Sequence, residues 1–448
     1  MAVCMAVAFI TTFIGSGLNL AVPAMEEEFH TGSAGAGWVV SIYMLTCASL
    51  AVPFGKIADA IGKRNILILG ISLFALSSLA AVFSVGLWMV LCLRFVQAVG
   101  ASMIFSTNVA LILTTVDDRH RGKILGYVTG ATYGGLALGP VLCGILNGHW
   151  GWRSIFLVAF CVSLGALLLA WGITKKGKEA KPKIVLNKSI LKAMTLYASS
   201  LFVTLYGLSI LSVKPYGWVM LLIGLAGCFI FLRGEGKSPV LCSANGTVRS
   251  PRKYRYANLA TFINAAAVFS VIYFLSIYLQ SARGFSSQTT GWILMASPVV
   301  QTLVSLWSGK RADSHSPQNL SAAGLLLCTF SLGSFLFLKE GTSLIWIVGA
   351  LALLGAGTGL FASPNGKIIM GEVSQEGHGI ASAVLATMRS VGHTISMAVA
   401  SIGTILYMGQ GSLKEASGQE IINAGRISFL LFTILCILGI FLALRKKV

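Results

Sequence analysis

Arg389 and His393 lie one helical turn apart in an apolar segment that runs from about residue 380 to 407. In an α-helix, side chains four residues apart lie on the same face. Histidine exchanges protons near neutral pH, so His393 is predicted to be a proton carrier. The arginine beside it would oppose a second positive charge. The structural alternative is that His393 is bonded to a serine or to a backbone carbonyl.

Arg94 is a second isolated cation, in the apolar stretch LWMVLCLRFVQAVGASMIF of residues 87–105. Gln97 follows it by three residues and is the nearest polar side chain along the helix. The fourteen acidic residues all fall in loops or at the ends of apolar segments, so no carboxylate is predicted beside Arg94 or Arg389. The structural alternative for Arg94 is an arginine bonded to backbone carbonyls.

The composition requires a membrane as the main solvent. The chain is 56% hydrophobic and 10% charged, whereas soluble domains carry about 25% charged residues. Several apolar runs reach the roughly 20 residues that cross a bilayer as a helix, while a barrel would show short alternating strands. We predict an all-α polytopic membrane protein.

The nine cysteines lack metal-ligand spacing, and FLRGEGKSP lacks the first glycine of a phosphate loop. We therefore expect no enzyme, metal or cofactor.

Apolar runs between charged or turn-rich breaks predict fourteen membrane-spanning segments. They lie near 3–24, 36–55, 66–85, 88–113, 124–146, 153–173, 193–212, 216–232, 258–280, 289–308, 319–338, 344–366, 380–407 and 427–444.

An internal repeat organises these segments. GKIAD at 55–59 follows the second segment, and GKRAD at 309–313 follows the tenth. Such a parallel repeat is typical of secondary transporters. It predicts an N-terminal six-helix bundle in 1–174, a basic linker with two extra helices in 175–256, and a C-terminal six-helix bundle in 257–448.

The net charge of +19 follows the predicted topology. With both termini in the cytoplasm, 25 of the 33 lysines and arginines fall in inner loops or the tail and 6 in outer loops. This is the positive-inside rule, so no nucleic-acid partner is needed. We expect a monomer in the inner or plasma membrane, in contact with lipid.

Three stretches together resemble the signature motifs of the major facilitator superfamily. They are GKIADAIGKRN after the second segment, RFVQ with Gly100 in the fourth, and GYVTGATYGGLALGPVLCG in the fifth. With its six-two-six arrangement, nearly the whole chain resembles the fourteen-helix drug:proton antiporter family of multidrug-efflux type. The resemblance implies the major facilitator fold and a secondary active transporter that exports lipophilic small molecules or drugs in exchange for protons.

The loop motif predicts a conformational latch at the cytoplasmic side. Glycine would permit tight turns, and the acid could cap a neighbouring helix or pair with a base. The alternative is that these charges only satisfy the positive-inside rule. The predicted latch residues are Gly55, Asp59, Gly62, Lys63, Arg64, Gly309 and Asp313.

The fifth segment carries small residues that let helix backbones approach closely, and its proline frees a backbone carbonyl. The alternative to a special role is ordinary helix packing. In the resembling family this motif marks antiporters, and its residues here are Gly130, Gly135, Gly139, Pro140 and Gly144.

The first segment departs from the resembling family, which commonly carries an aspartate before Asn-x-Ala-x-Pro. FIGSGLNLAVP offers Ile14 there and retains Asn19. A proton carrier would then be His393 or an acid at a cavity mouth, such as Glu26 or Glu372. An already basic cavity should tolerate neutral or anionic lipophiles better than dications. The candidates for the cavity and for proton coupling are Asn19, Arg94, Gln97, Arg389 and His393. The family resemblance implies that Arg94 faces the cavity.

Neutral polar side chains within the segments are candidate substrate contacts: Tyr43, Asn108, Tyr133, Asn264, Tyr273, Gln301 and Asn365. Three functions stay open. The first is a proton-linked exporter, the second an importer, facilitator or lipid or metabolite carrier of the same fold, and the third a non-transporting receptor or channel. The repeat and the glycine-rich fifth segment favour a transporter over the third.

Overall fold

The computed structural model describes residues 1–31, 33–115, 118–173, 188–211, 216–237, 251–312, 314–373, 378–408 and 417–444. The described residues form sixteen α-helices. They are α1 (Ala2–Gly17), α2 (Val22–Phe29), α3 (Ser33–Ile61), α4 (Lys63–Val82), α5 (Leu87–Thr115), α6 (Asp118–Trp150), α7 (Arg153–Ile173), α8 (Lys188–Ile210), α9 (Gly217–Lys237), α10 (Arg252–Ile277), α11 (Ser287–Leu294), α12 (Ala296–Arg311), α13 (Pro317–Phe335), α14 (Leu344–Gly371), α15 (His378–Met408) and α16 (Gly418–Leu444).

Two of the predicted segments are interrupted helices. A 3-10 turn at Leu18–Ala21 separates α1 from α2, and Met295 separates α11 from α12. Pro23 lies in the first turn of α2 and Pro298 in the first turn of α12. Proline lacks an N–H and is tolerated there, where no helical partner is needed.

Twelve helical segments in the described part of the chain are long and apolar enough to cross a membrane. Helices α6 and α13 are long but lie outside that set. Helix α13 begins with Pro317, Gln318 and Asn319, which lowers its mean hydropathy, and the described part of α6 includes several glycines and Asn147. The chain is therefore an all-helical polytopic protein with twelve to fourteen spanning helices.

The helices pack as two groups, α1–α7 and α10–α16, that meet along two seams. The first seam joins α3 to α15, and the second joins α6 to α11 and α12. Helix α8 packs on α9 and also covers the first seam. There Leu205 clusters with Leu45 and Ala48 of α3, and Val391 of α15 packs against them.

The second seam is a backbone-to-backbone contact at the outer end of the bundle, the end predicted to face away from the cytoplasm. A Cβ atom on Gly144 would lie 2.6 Å from the carbonyl oxygen of Ser287, and one on Gly291 would lie 2.6 Å from that of Pro140. Any side chain at these positions would push the two helices apart. Glycine is therefore what allows the seam to close.

The turn predicted at Gly62 is confirmed, because its φ of 111° is a conformation that glycine adopts readily and other residues avoid. The turn predicted at Gly55 is wrong, since α3 continues as a helix to Ile61. The run of apolar residues ends near Gly55, but the backbone hydrogen bonds of the helix continue beyond it. The residues after Gly55 continue the helix, and Lys56 is buried at 8% exposure although it is charged.

The packing of α13 on α14 makes a test with a matched control. A Cβ on Gly357 would lie 2.7 Å from the carbonyl oxygen of Gly324, whereas one on Gly349 would meet open space. Alanine in a helix is favoured over glycine by about 0.5–1 kcal/mol, but overpacking costs about 1–3 kcal/mol. We therefore expect Gly357→Ala to lower the thermal unfolding midpoint and Gly349→Ala to leave it unchanged or raise it. Equal midpoints for the two variants in detergent would contradict this packing.

Candidate functional site

Arg389 and His393 lie on one face of α15, as predicted. Arg389 is the twelfth residue of the helix, about 16 Å from its start at 1.5 Å per residue. Given a hydrocarbon layer of about 30 Å, this places the pair near mid-membrane. Arg389 is exposed and His393 is partly exposed.

The face that carries this pair points into the bundle. Val391 and Ile395, on the other side of α15, pack against α8. Gly392 abuts α10, where its Cβ would lie 2.7 Å from the carbonyl oxygen of Phe262. An exposed cation on an inward face at this depth marks a water-filled space.

The His393 ring stacks on Phe269 of α10, with ring centres 4.7 Å apart and planes 26° apart. Among the described residues, neither His393 nor Arg389 has a protein hydrogen-bond partner or an ion pair. The serine or carbonyl bond of the structural alternative for His393 is therefore not formed in this conformation. The pair presents an aromatic surface and a free guanidinium one turn apart.

Arg94 is held inside the first group of helices. Its Nε donates to the carbonyl oxygen of Val39 at 3.0 Å, and its Nη1 donates to Gln97. Gln97 in turn donates to the Ser78 hydroxyl at 2.6 Å, and the Arg94 guanidinium lies 4.2 Å from the centre of the Tyr43 ring. At 1% exposure, Arg94 links α3, α4 and α5. This geometry supports its structural alternative.

Asn19 lies in the 3-10 turn between α1 and α2, and it is 3% exposed. Within the described part of the chain, both atoms of its amide lack a hydrogen-bond partner. Ile14, at the position where the family resemblance implies an acid, is fully buried in the apolar core. Asn19 therefore keeps unused hydrogen-bonding capacity where the first segment breaks.

Most of the predicted substrate contacts tie helices together. The Asn108 amide donates to the carbonyl oxygen of Cys4 at 3.1 Å, and the Asn365 amide donates to that of Ala257 at 2.9 Å. Asn264 donates more weakly, to the Cys328 sulfur at 3.6 Å. The structure does not gather these residues around Arg389. Tyr133 and Gln301 are partly exposed, and Tyr43 lies under Arg94.

The two copies of the loop motif have different surroundings. Gly55 faces the other group, since its Cβ would lie 3.8 Å from that of Ala383 in α15. Gly309 faces its own group, where its Cβ would lie 2.8 Å from the Ser363 hydroxyl, and Lys367 donates to the Ala312 carbonyl at 3.0 Å. The Asp59 side chain and Asp313 lie outside the described residues. Lys63 and Arg64 begin α4 directly after Gly62.

The glycines of the fifth segment serve two contacts. Gly135 and Gly139 press against α1, where a Cβ would collide with Thr12 and Ser16 respectively. Gly144 and Pro140 form the second seam with α11, and Gly130 has open space beside it. Close backbone packing is thus the direct role of this motif.

Sequence reasoning missed the polar contacts that fasten the second seam. The Asn147 amide donates to the carbonyl oxygen of Leu20 at 3.4 Å and to the Ser287 hydroxyl at 3.3 Å. Ser287 donates to Gln280 at 2.9 Å. Asn147 lies between Leu146 and Gly148 near a helix end, so no local pattern distinguishes it from a loop residue.

Two acids were candidates for a proton carrier at a cavity mouth. Glu26 is only 6% exposed, so it is buried rather than at an open mouth. The Tyr273 hydroxyl reaches α3, lying 3.7 Å from the place of a Cβ on Gly37. Glu372 forms a long ion pair of 3.8 Å with Lys253.

Comparison with known proteins adds a family and several relatives. The family described as the Major Facilitator Superfamily matches residues 4–234 and 257–447. The riboflavin transporter RibZ of Clostridioides difficile is 28% identical over 401 residues, 88% of this chain and 85% of RibZ. The multidrug resistance protein Stp of Mycobacterium tuberculosis is 27% identical, over 87% of this chain and 72% of Stp. The multidrug efflux pump LfrA of Mycolicibacterium smegmatis is 24% identical, over 87% and 76%.

A solved structure shares the fold. The crystal structure of the human organic anion transporter MFSD10 superposes with a TM-score of 0.68 and covers 99% of this chain and 98% of that one. The sequences are 14% identical, so the likeness concerns the fold alone.

The two arginines provide a direct comparison of roles. Arg94→Gln removes charge-assisted hydrogen bonds worth about 1.5–3 kcal/mol each, and should lower the free energy of unfolding by at least about 2 kcal/mol. Arg389→Gln removes a side chain without protein partners among the described residues, and should leave stability unchanged or slightly higher. Reversible unfolding in mixed micelles measures both. A larger loss for Arg389→Gln than for Arg94→Gln would reverse the assignment.

Proposed function

The chain belongs to the Major Facilitator Superfamily, and from that premise we propose that it exports lipophilic small molecules by alternating access. The observation that carries this proposal is the pair of seams between α1–α7 and α10–α16, with an inward polar face at mid-membrane between them. Two helix groups that share narrow seams can rock against each other and expose a central site to one side at a time.

The described conformation is closed at its outer end. Gly144 and Gly291 let α6 and α11 touch there, and the hydrogen bond from Asn147 to Ser287 crosses the same seam. Opening the outer side would break this hydrogen bond and separate the two backbones. Because these residues are small, the seam can form and separate at a low free-energy cost, since no interlocked side chains must be pulled apart.

We extend the proposal to the arrangement in the membrane. All fourteen predicted segments cross the bilayer, both termini lie in the cytoplasm, and residues 1–174, 175–256 and 257–448 form the first bundle, the linker pair and the second bundle. The protein acts as a monomer in the inner or plasma membrane. Support comes from the positive-inside charge distribution and from the long helices at each predicted segment.

For energy coupling we propose His393 as the proton carrier. Its ring nitrogens have no described protein partner, and the side chain is partly exposed on the same face as Arg389. A substrate beside Arg389 would share the space next to the His393 ring, so proton binding and substrate binding would influence each other. The names of Stp and LfrA support export as the direction.

A second candidate is a metabolite carrier or importer of the same fold. The absence of a carboxylate from the middle of the predicted segments favours it, because Ile14 replaces the acid that the family resemblance implies. The name of RibZ shows that a relative of similar length is a riboflavin transporter. Riboflavin therefore belongs in the first panel of test compounds.

The experiment uses protein in liposomes that contain a pH-sensitive dye, with gradients of riboflavin and rhodamine 123. The exporter proposal predicts proton movement opposite to substrate in the wild type. His393→Gln should abolish that proton movement while the protein still carries substrate down its concentration gradient. His315→Gln, in an exposed loop, is the matched control.

Proton movement that is equal in wild type and His393→Gln would remove His393 from the coupling proposal. Substrate flux without proton movement in both would support the carrier candidate instead. Protein that moves neither compound nor any other lipophile of a wider panel would contradict the transporter proposal itself.

A further inference from the structure

Arg389 is a cation at mid-membrane that no described residue neutralises. A guanidinium in hydrocarbon costs several kcal/mol, so arginines in spanning helices normally pair with an acid or with carbonyl oxygens. Arg94 follows this rule through Val39 and Gln97. Arg389 does not, since the described residues offer it no hydrogen bond and no ion pair, and it is exposed on an inward face.

The surroundings do not supply an anion either. The described carboxylates are at helix ends or in loops, and Glu28 is bound by Arg153 at 2.6 Å while Glu372 faces Lys253. Glu26 is buried in α2, toward the outer end of the first group of helices. Among the described residues, the central space therefore carries positive charge in excess, which an incoming ligand of negative charge would compensate.

From this geometry we propose that Arg389 is the binding site for the negatively charged group of an amphipathic organic anion. The proposal rests on the transporter function above and names its substrate class. The guanidinium fork matches a carboxylate or a similar planar oxyanion with two parallel hydrogen bonds. Water that now solvates Arg389 would be replaced by that group.

The second element of the site is flat and aromatic. The His393 ring lies one turn along α15 from Arg389, and Phe269 supports its far side at 4.7 Å. A planar ring system that stacks on His393 would place an attached oxyanion within reach of Arg389, because one helical turn spans about 5.4 Å. The preferred ligand is thus an aromatic body with an acidic substituent.

The test compares two dyes with the same xanthene body and opposite charge, fluorescein and rhodamine 123. Binding to purified full-length protein is measured by fluorescence anisotropy at neutral pH. Fluorescein should bind wild type more tightly than rhodamine 123. Arg389→Gln should weaken fluorescein binding at least about tenfold, the effect of losing a charge-assisted hydrogen bond, and leave rhodamine 123 within about threefold.

Two variants keep the test specific. Arg389→Lys preserves the charge without the fork and should give an intermediate affinity for fluorescein. Arg233→Gln removes an exposed arginine of α9 whose guanidinium lies 4.4 Å from the centre of the Phe229 ring on its own helix, and this variant should bind both dyes as wild type does. The melting temperature of each variant, measured in parallel, identifies loss of folded protein.

The proposal is overturned if fluorescein binds wild type no better than rhodamine 123, or if Arg389→Gln leaves its affinity unchanged. Flux of rhodamine 123 or riboflavin into liposomes alongside either result would still support the transporter proposal. The substrate class can therefore fail while the proposed function stands.

Discussion

The free-energy cost of a charge in hydrocarbon governs how this chain is built. Most of its charges lie in loops, but two arginines lie within spanning helices, and the predicted segments carry no carboxylate at their centres. The structure treats the two differently. Arg94 is enclosed by a carbonyl, an amide and a tyrosine ring, whereas Arg389 stays exposed in the interior. Arg94 therefore holds its neighbouring helices together, whereas Arg389 remains available to bind a ligand in the interior.

Glycine distribution provides the complementary property, which is close backbone contact between the two helix groups. Backbone contacts at Gly144 and Gly291 close the second seam without interlocking side chains. The first seam is different, because α8 covers it with apolar side chains from Leu201 to Leu205. A rocking motion would then slide α3 and α15 under α8 while opening and closing α6 against α11. The two extra helices thus stabilise one seam and leave the other free.

The sequence predicted those features that depend on local patterns. Apolar runs located the long helices, and the spacing of Arg389 and His393 placed them on one helix face, which the structure turns inward. Features that depend on partners distant in sequence were not predictable. The contact of Arg94 with Val39 spans 55 residues, and that of Asn147 with Ser287 spans 140. The break at Leu18–Ala21 was not predicted, because Asn19 is a single polar residue between Leu18 and Leu20 and the segment stays apolar on average.

The central claim is that the two helix groups move against each other at the second seam. Spin labels on Gly148 of α6 and Ser286 before α11, both exposed, lie on opposite sides of that seam. In a background without native cysteines, pulsed electron resonance in nanodiscs reports the distance between them. The account predicts two populations, one with a short distance, in which the seam is closed, and one with a longer distance. Adding fluorescein should change the fraction of molecules in the longer-distance population. A single distance that stays the same with and without ligand would contradict it.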